Sequence, residues 1–153
     1  TVPLILAGLL VGLPKRDLIL LDQASEALGM VFQIIDDQLS LFGDPKITGK
    51  NLGNDILENK KTFHFYFLHQ ALQKETNQAY RHLWQYFGQT KITSAQILEI
   101  QNALRELKVI KKIEQMIAKY EQDFLTLLAQ TKINAAAKKM LIELFAFVKN
   151  RDS

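Results

Sequence analysis

The sequence predicts an all-α protein, and three observations carry that expectation. Apolar residues recur at three- and four-residue spacing in nearly every stretch of the chain. No stretch alternates with the period of two that a half-buried strand needs. Breakers are few, with 7 Gly and 3 Pro in 153 residues.

The elements follow in order. Thr1 to Gly12 is apolar on nearly all sides, which predicts a buried helix or the end of one. Pro14 breaks it, and Lys15 or Asp17 opens a long helix running to about Leu41, roughly 40 Å at 1.5 Å per residue. Gly43, Asp44, Pro45, Gly49, Asn51, Gly53 and Asn54 then crowd together and predict a loop. A long loop in a compact helical chain is usually functional or disordered. Helical spacing resumes near Lys60, with Phe63, Phe67, Leu68, Ala71 and Leu72 on one face. Another helix spans about Asn77 to Phe87 and stops at Gly88. Thr93 or Ser94 caps a helix bearing Ile97, Ile100, Leu104 and Leu107. Ile110, Ile113, Ile117, Tyr120, Phe124 and Leu127 mark the next, to about Gln130. Asn134 caps the last, with Met140, Leu141, Leu144, Phe145 and Val148 expected inward.

Composition narrows the classes further. A chain that is 48% hydrophobic and 23% charged is neither disordered nor collagenous, and its length suits one domain. With no cysteine it has no disulfide framework, thiolate metal site or Cys nucleophile, and this usage fits the cytosol. A formal charge of +3 is too mild to argue for nucleic acid. The longest uncharged stretch, Thr1 to Pro14, is shorter than the ~18 apolar residues of a membrane span. The chain opens at Thr in the middle of an apolar pattern, which reads as a cut end.

One place breaks the apolar rule. Gln33, Asp36, Asp37 and Ser40 stand at i, i+3, i+4 and i+7 of the long helix, on a stripe that extends back through Gly29, Glu26 and Asp22. Val31, Phe32, Ile34, Ile35, Leu39 and Leu41 flank it. Two readings are open. An acidic pair can simply face water. Buried, two adjacent carboxylates cost several kcal/mol and repel each other, and a divalent cation relieves both penalties. Hard oxygen ligands suit Mg²⁺, which is commonly shared between carboxylates, waters and substrate phosphates. The stretch at 43–62 supplies glycines, Asp44, Asp55 and four lysines, namely Lys46, Lys50, Lys60 and Lys61. Carboxylates that hold metals, metals that bridge phosphate oxygens and lysines that neutralise the remainder make a diphosphate site. Lys46 reads as a solvated charge.

These residues resemble the polyprenyl synthetase family, the head-to-tail trans-prenyl diphosphate synthases. The match runs through Gly29, Phe32-Gln33-Ile34-Ile35-Asp36-Asp37, Phe42-Gly43-Asp44-Pro45, Thr48-Gly49-Lys50, Gly53, Asp55-Ile56 and Lys60-Lys61-Thr62. Leu141 to Arg151 is also similar to the family's C-terminus. The flavour is that of short-chain bacterial members of the geranylgeranyl or farnesyl diphosphate type. The resemblance implies long antiparallel helices around a central cavity, ionisation of an allylic diphosphate, and attack on the cation by isopentenyl diphosphate. It implies that Asp36 and Asp37 are catalytic metal ligands sharing Mg²⁺ with the allylic diphosphate. Gln33 would steady the allylic end, and Lys50 and Lys60 would contact diphosphate. Thr1 would be the Thr of the family's Lys-Thr pair.

The chain departs from the pattern twice. Ser40 stands where the Asp-Asp-x-x-Asp motif has its last acid, and the first aspartate-rich motif does not occur in these 153 residues. The chain therefore reads as the C-terminal half of such a domain, spanning 1–153, inactive alone and completed either by the missing N-terminal half or in a homo-oligomer such as a dimer. A second reading is a non-catalytic helical partner subunit of a complete synthase, and a third is a basic bundle that binds an anionic partner. His64, His69 and His82 are not at metal spacing and read as packing or surface residues. Lys108, Lys111, Lys112 and Lys119 with Glu114 and Glu121 read as a solvated helix face.

Overall fold

A computed structural model describes residues 2–49 and 51–151. The order is α1 (Val2–Leu10), α2 (Lys15–Phe42), α3 (Pro45–Thr48), α4 (Asn54–Leu57), α5 (Phe63–Leu72), a 3₁₀ segment (Glu75–Tyr86), α6 (Ser94–Glu106), α7 (Val109–Gln130) and α8 (Ala135–Lys149). No strand occurs among the described residues. The chain gathers into two compact units whose boundaries fall inside α2 and α7.

The first unit holds the described residues up to Ile35 together with Met116–Arg151. Its interior is made by Leu21, Ala24, Val31 and Ile34 of α2, Phe124 and Leu128 of α7, and Phe145 and Val148 of α8. The rings of Phe124 and Phe145 pack at a tilt of 33° with centroids 4.6 Å apart. Asp17, at the start of α2, is buried and accepts the backbone N–H of Lys132 at 3.0 Å. Asn134 caps α8 as its sequence predicts, accepting from the Ala137 amide. Gly8 lets α1 come close, since a Cβ there would stand 2.7 Å from Leu18 Cδ2.

Two expectations fail in this unit. The apolar N-terminal segment is helical but not buried: Gly8 is its one buried residue in α1, and Leu10 and Val11 are 88% and 75% exposed. On α8, Met140 and Leu144 face outward while Phe145 and Val148 face inward. Periodicity marks a face as apolar, but whether something covers it depends on neighbours that local spacing does not reveal.

The second unit holds Asp36–Gln115. Thr93 and Gln96 form a reciprocal capping box that starts α6, and Thr62 caps α5. Phe65 of α5, Trp84 and Phe87 form a cluster with centroids 5.2–5.4 Å apart, closing α5 against the 3₁₀ segment. The region 43–62, expected as a loop, contains α3 and α4. Asp44 accepts the Lys46 amide to start α3. Gly53 starts α4 at φ +82°, a conformation that favours glycine, and a Cβ there would press on Ile97 Cδ1 at 3.0 Å.

By length and composition, with an 18-residue window of mean hydropathy 1.4, α2 meets the requirement for a membrane span. Its charges at Asp17 and Asp37 are met by protein partners, and its apolar stripe lines the core, as in the core helix of a bundle.

Candidate functional site

The C-terminal end of α2 positions the site. Asp37 and Ser40 are one turn apart on its buried side, and Asp36 is half-buried. Ser40 acts as a tether. Its carbonyl accepts the Gly53 amide at 2.8 Å and its hydroxyl accepts the Asp55 amide at 3.3 Å. These bonds hold the first turn of α4 against the end of α2 and place Asp55 in the site. The Lys60 amide then bonds the Asp55 carbonyl at 2.9 Å, and the chain enters α5 at Thr62. Two short turns thus carry the Lys60 side chain back to α2.

There the Lys60 ammonium donates to Asp37 Oδ1 at 2.8 Å and stands 3.5 Å from Asp55 Oδ2. Asp37 is 3% exposed and Lys60 is 39% exposed, so a buried carboxylate is met by a cation at the open edge of the site. The hydrogen bond to Asp37 raises the Lys60 pKa. Burial pushes the Asp55 carboxyl up, and the charge of Lys60 only partly opposes this. Asp55 Oδ2 is a buried oxygen without a hydrogen-bond partner.

His64 lies in the first turn of α5, four residues after Lys60. It is buried, neither ring nitrogen has a hydrogen-bond partner, and burial pushes its pKa down to about 4 against the opposing pull of Asp37. Its ring lines a small cavity of about 10 Å³ with Asp55, Lys60 and Thr62.

The sequence-predicted residues divide accordingly. Asp37 and Lys60 are brought together, with Asp36 beside them on α2. Gln33 is exposed on α2. Lys61 turns away, bonding Asn59 Oδ1 and sitting 4.0 Å over the Phe65 ring. Lys46 is exposed. Thr1 and Lys50 lie outside the described residues. Asp55 and His64 belong to the cluster although neither was singled out as a site residue. Spacing could not have signalled them, because Asp55 and His64 lie on two different helices and the segment between them, with Lys60, is not helical. His69 instead packs on Trp84 at 5.3 Å, and His82 pairs with Glu99 at 2.6 Å on the surface. Glu121 of the expected solvated face binds Lys149 at 2.7 Å.

The donor set suits a hard cation. Asp36 and Asp37 offer carboxylate oxygens, and two carboxylates suffice for Mg²⁺ when phosphates and waters complete its shell. No cage of three or more His, Cys, Asp or Glu side chains is gathered among the described residues.

The described residues form an all-α fold with a carboxylate–lysine cluster at the end of its long helix, and comparison with known proteins identifies the family. The chain belongs to the polyprenyl synthetase family, whose model matches residues 1–107. It is 45% identical over 62 residues to farnesyl pyrophosphate synthase of Homo sapiens, covering 40% of this chain and 14% of that one. It is 34% identical over 96 residues to farnesyl pyrophosphate synthase of Rattus norvegicus, covering 63% and 24%. Its fold superposes with a TM-score of 0.80 and 26% identity on geranylgeranyl pyrophosphate synthase of Corynebacterium glutamicum complexed with isoprenyl diphosphate and magnesium. That match takes in 90% of this chain and 38% of the neighbour. The chain thus spans less than half the length of each of these relatives.

Proposed function

We propose that the chain is the C-terminal half of a trans-prenyl diphosphate synthase, which condenses isopentenyl diphosphate with an allylic diphosphate. The observation that carries the reading is the Asp37–Lys60–Asp55 cluster, built from the segment that resembles the family's second aspartate-rich motif. Asp36 and Asp37 would hold Mg²⁺, which supplies charge neutralisation of the departing diphosphate. Lys60, and Lys50 in the same segment, would hold diphosphate oxygens as point charges. Gln33 would steady the allylic end and Thr1 would contact substrate.

The chain alone is expected to be inactive. Stabilising the charge that develops on a leaving group is usually the largest catalytic contribution, and the first aspartate-rich motif is not in this sequence. The exposed Leu6, Leu9, Leu10 and Val11 favour association with a second copy or with the rest of the domain. One observation favours the alternative, a non-catalytic helical partner subunit. The Ser40 hydroxyl is buried and engaged with the Asp55 amide, so it tethers α4 where the family motif has a metal-binding acid. The test is calorimetry of Mg²⁺ and inorganic diphosphate binding to the chain, beside turnover with both substrates when the complementary half is added. Mg²⁺-dependent diphosphate binding with turnover supports the synthase. Absence of turnover with the complementary half, whether or not the chain binds Mg²⁺ and diphosphate, removes the synthase reading and supports the partner subunit.

A further inference from the structure

We propose that Lys60 is an exchangeable counterion, whose ammonium holds the cation position on Asp37 until a divalent metal displaces it toward the anionic substrate. The inference rests on the reading of Asp36 and Asp37 as Mg²⁺ ligands and adds how that site is kept and opened. A carboxylate as buried as Asp37 needs a cation nearby, because an uncompensated buried charge is strongly destabilising. Lys60 meets that need at 2.8 Å. The same contact obstructs a metal. A divalent ion beside an ammonium is repelled twice as strongly as a second ammonium would be, so both do not stay on one oxygen.

The structure lets the ammonium leave. Lys60 is anchored through its backbone, whose amide bonds the Asp55 carbonyl, so the head group can swing on its four-carbon stem without breaking that anchor. It is the most exposed member of the Asp37–Lys60–Asp55 group. Its second partner is loose, since Asp55 Oδ2 lies at 3.5 Å and makes no hydrogen bond. Lys61, next in sequence, is occupied with Asn59 and Phe65 and does not substitute for it. A lysine released by the metal presents its charge to a diphosphate, so each ligand favours the other. Such coupling is reciprocal by thermodynamic necessity.

Two measurements on the 153-residue chain test this. In the first, lysine acylation is followed residue by residue with mass spectrometry. Mg²⁺ alone is expected to raise Lys60 reactivity about fivefold and to leave Lys46 and Lys61 within about twofold. In the second, Mg²⁺ affinity is measured by calorimetry without diphosphate. Lys60→Met is expected to tighten it about tenfold, while Lys60→Arg, which keeps the charge, and Lys61→Met change it less than about threefold. Unchanged Lys60 reactivity in Mg²⁺ concentrations that saturate the wild type overturns the exchange and leaves the metal site standing, provided Asp37→Asn abolishes binding. Absence of Mg²⁺ binding by both the wild type and Lys60→Met overturns the exchange together with the metal-site reading. The labelling arm needs no variant, so a Lys60→Met protein that fails to fold does not remove the test.

Discussion

The two ends of α2 each bury an aspartate, and they do so against different donors. Asp17 accepts the backbone N–H of Lys132, a donor fixed in place by the chain. Asp37 accepts the ammonium of Lys60, a donor on a flexible stem at the edge of the unit. Both carboxylates are almost fully buried. Burial alone therefore does not mark a functional acid. An acid tied to a backbone amide is a structural anchor, whereas an acid tied to a movable cation is, on the proposed reading, the one that exchanges ligands.

The largest expected effect breaks this contrast if it is wrong. Asp37→Ala or Asp36→Ala should remove Mg²⁺ binding, and in a complete synthase should cost several kcal/mol of transition-state stabilisation. Asp17→Ala should leave Mg²⁺ affinity within about twofold. It should instead lower the melting temperature, since the part-buried Lys132 amide loses its partner and α2 loses that anchor. Paired calorimetry and thermal melts check this, and equal loss of Mg²⁺ affinity in Asp17→Ala would erase the distinction.

The acid limb of stability sharpens the comparison, because only the Asp37 end of α2 has a buried histidine nearby. The His64 pKa is depressed from 6.5 to about 4 in the folded chain. A group depressed in this way contributes stability that is fully present above pH 6.5 and is lost as pH falls toward 4. At about 1.36 kcal/mol per unit the loss is on the order of 3 kcal/mol. Urea unfolding at stepped pH should show it, and His64→Leu should flatten this part of the profile. An unchanged profile in His64→Leu would mean that other groups govern acid unfolding.

A smaller effect separates the lysines. Lys60→Gln should weaken inorganic diphosphate binding about tenfold in the presence of Mg²⁺, and Lys46→Gln by less than about twofold, because Lys46 is exposed and Lys60 stands on Asp37. Titration calorimetry distinguishes them. The smallest effect belongs to Asp22, which shares the acidic stripe but is exposed. Asp22→Ala should change stability by no more than about 0.5 kcal/mol and leave Mg²⁺ binding intact. A strong effect there would extend the site along α2.

Much of this was legible along the chain, wherever the governing interaction is local. The all-α class followed from spacing. The caps at Thr93 and Asn134 were readable because a cap bonds an amide three residues on. The Asp36–Asp37 pair stood out because it broke an apolar stripe, whereas its ion pair with Lys60 was not readable, since it joins residues 23 positions apart. Less legible was the region 43–62, where turn-forming residues suggested a loop and the structure has two short helices. There Asp44 and Gly53 act as helix starts, a role that turn-rich composition does not separate from a plain turn.

What the sequence determined by itself was the helical class, most helix boundaries and the crowding of carboxylates, lysines and glycines into one stretch. Those depend on periodicity, capping and charge, which act over one or two turns. Tertiary structure decided the rest. It chose Lys60 over Lys61 for Asp37, turned Ser40 into a tether, buried His64 without partners and gave Asp17 a partner 115 residues away. It also left the apolar N-terminal helix exposed. Each of these depends on which distant surface meets which, and a one-dimensional pattern states what a face is made of without stating what lies against it.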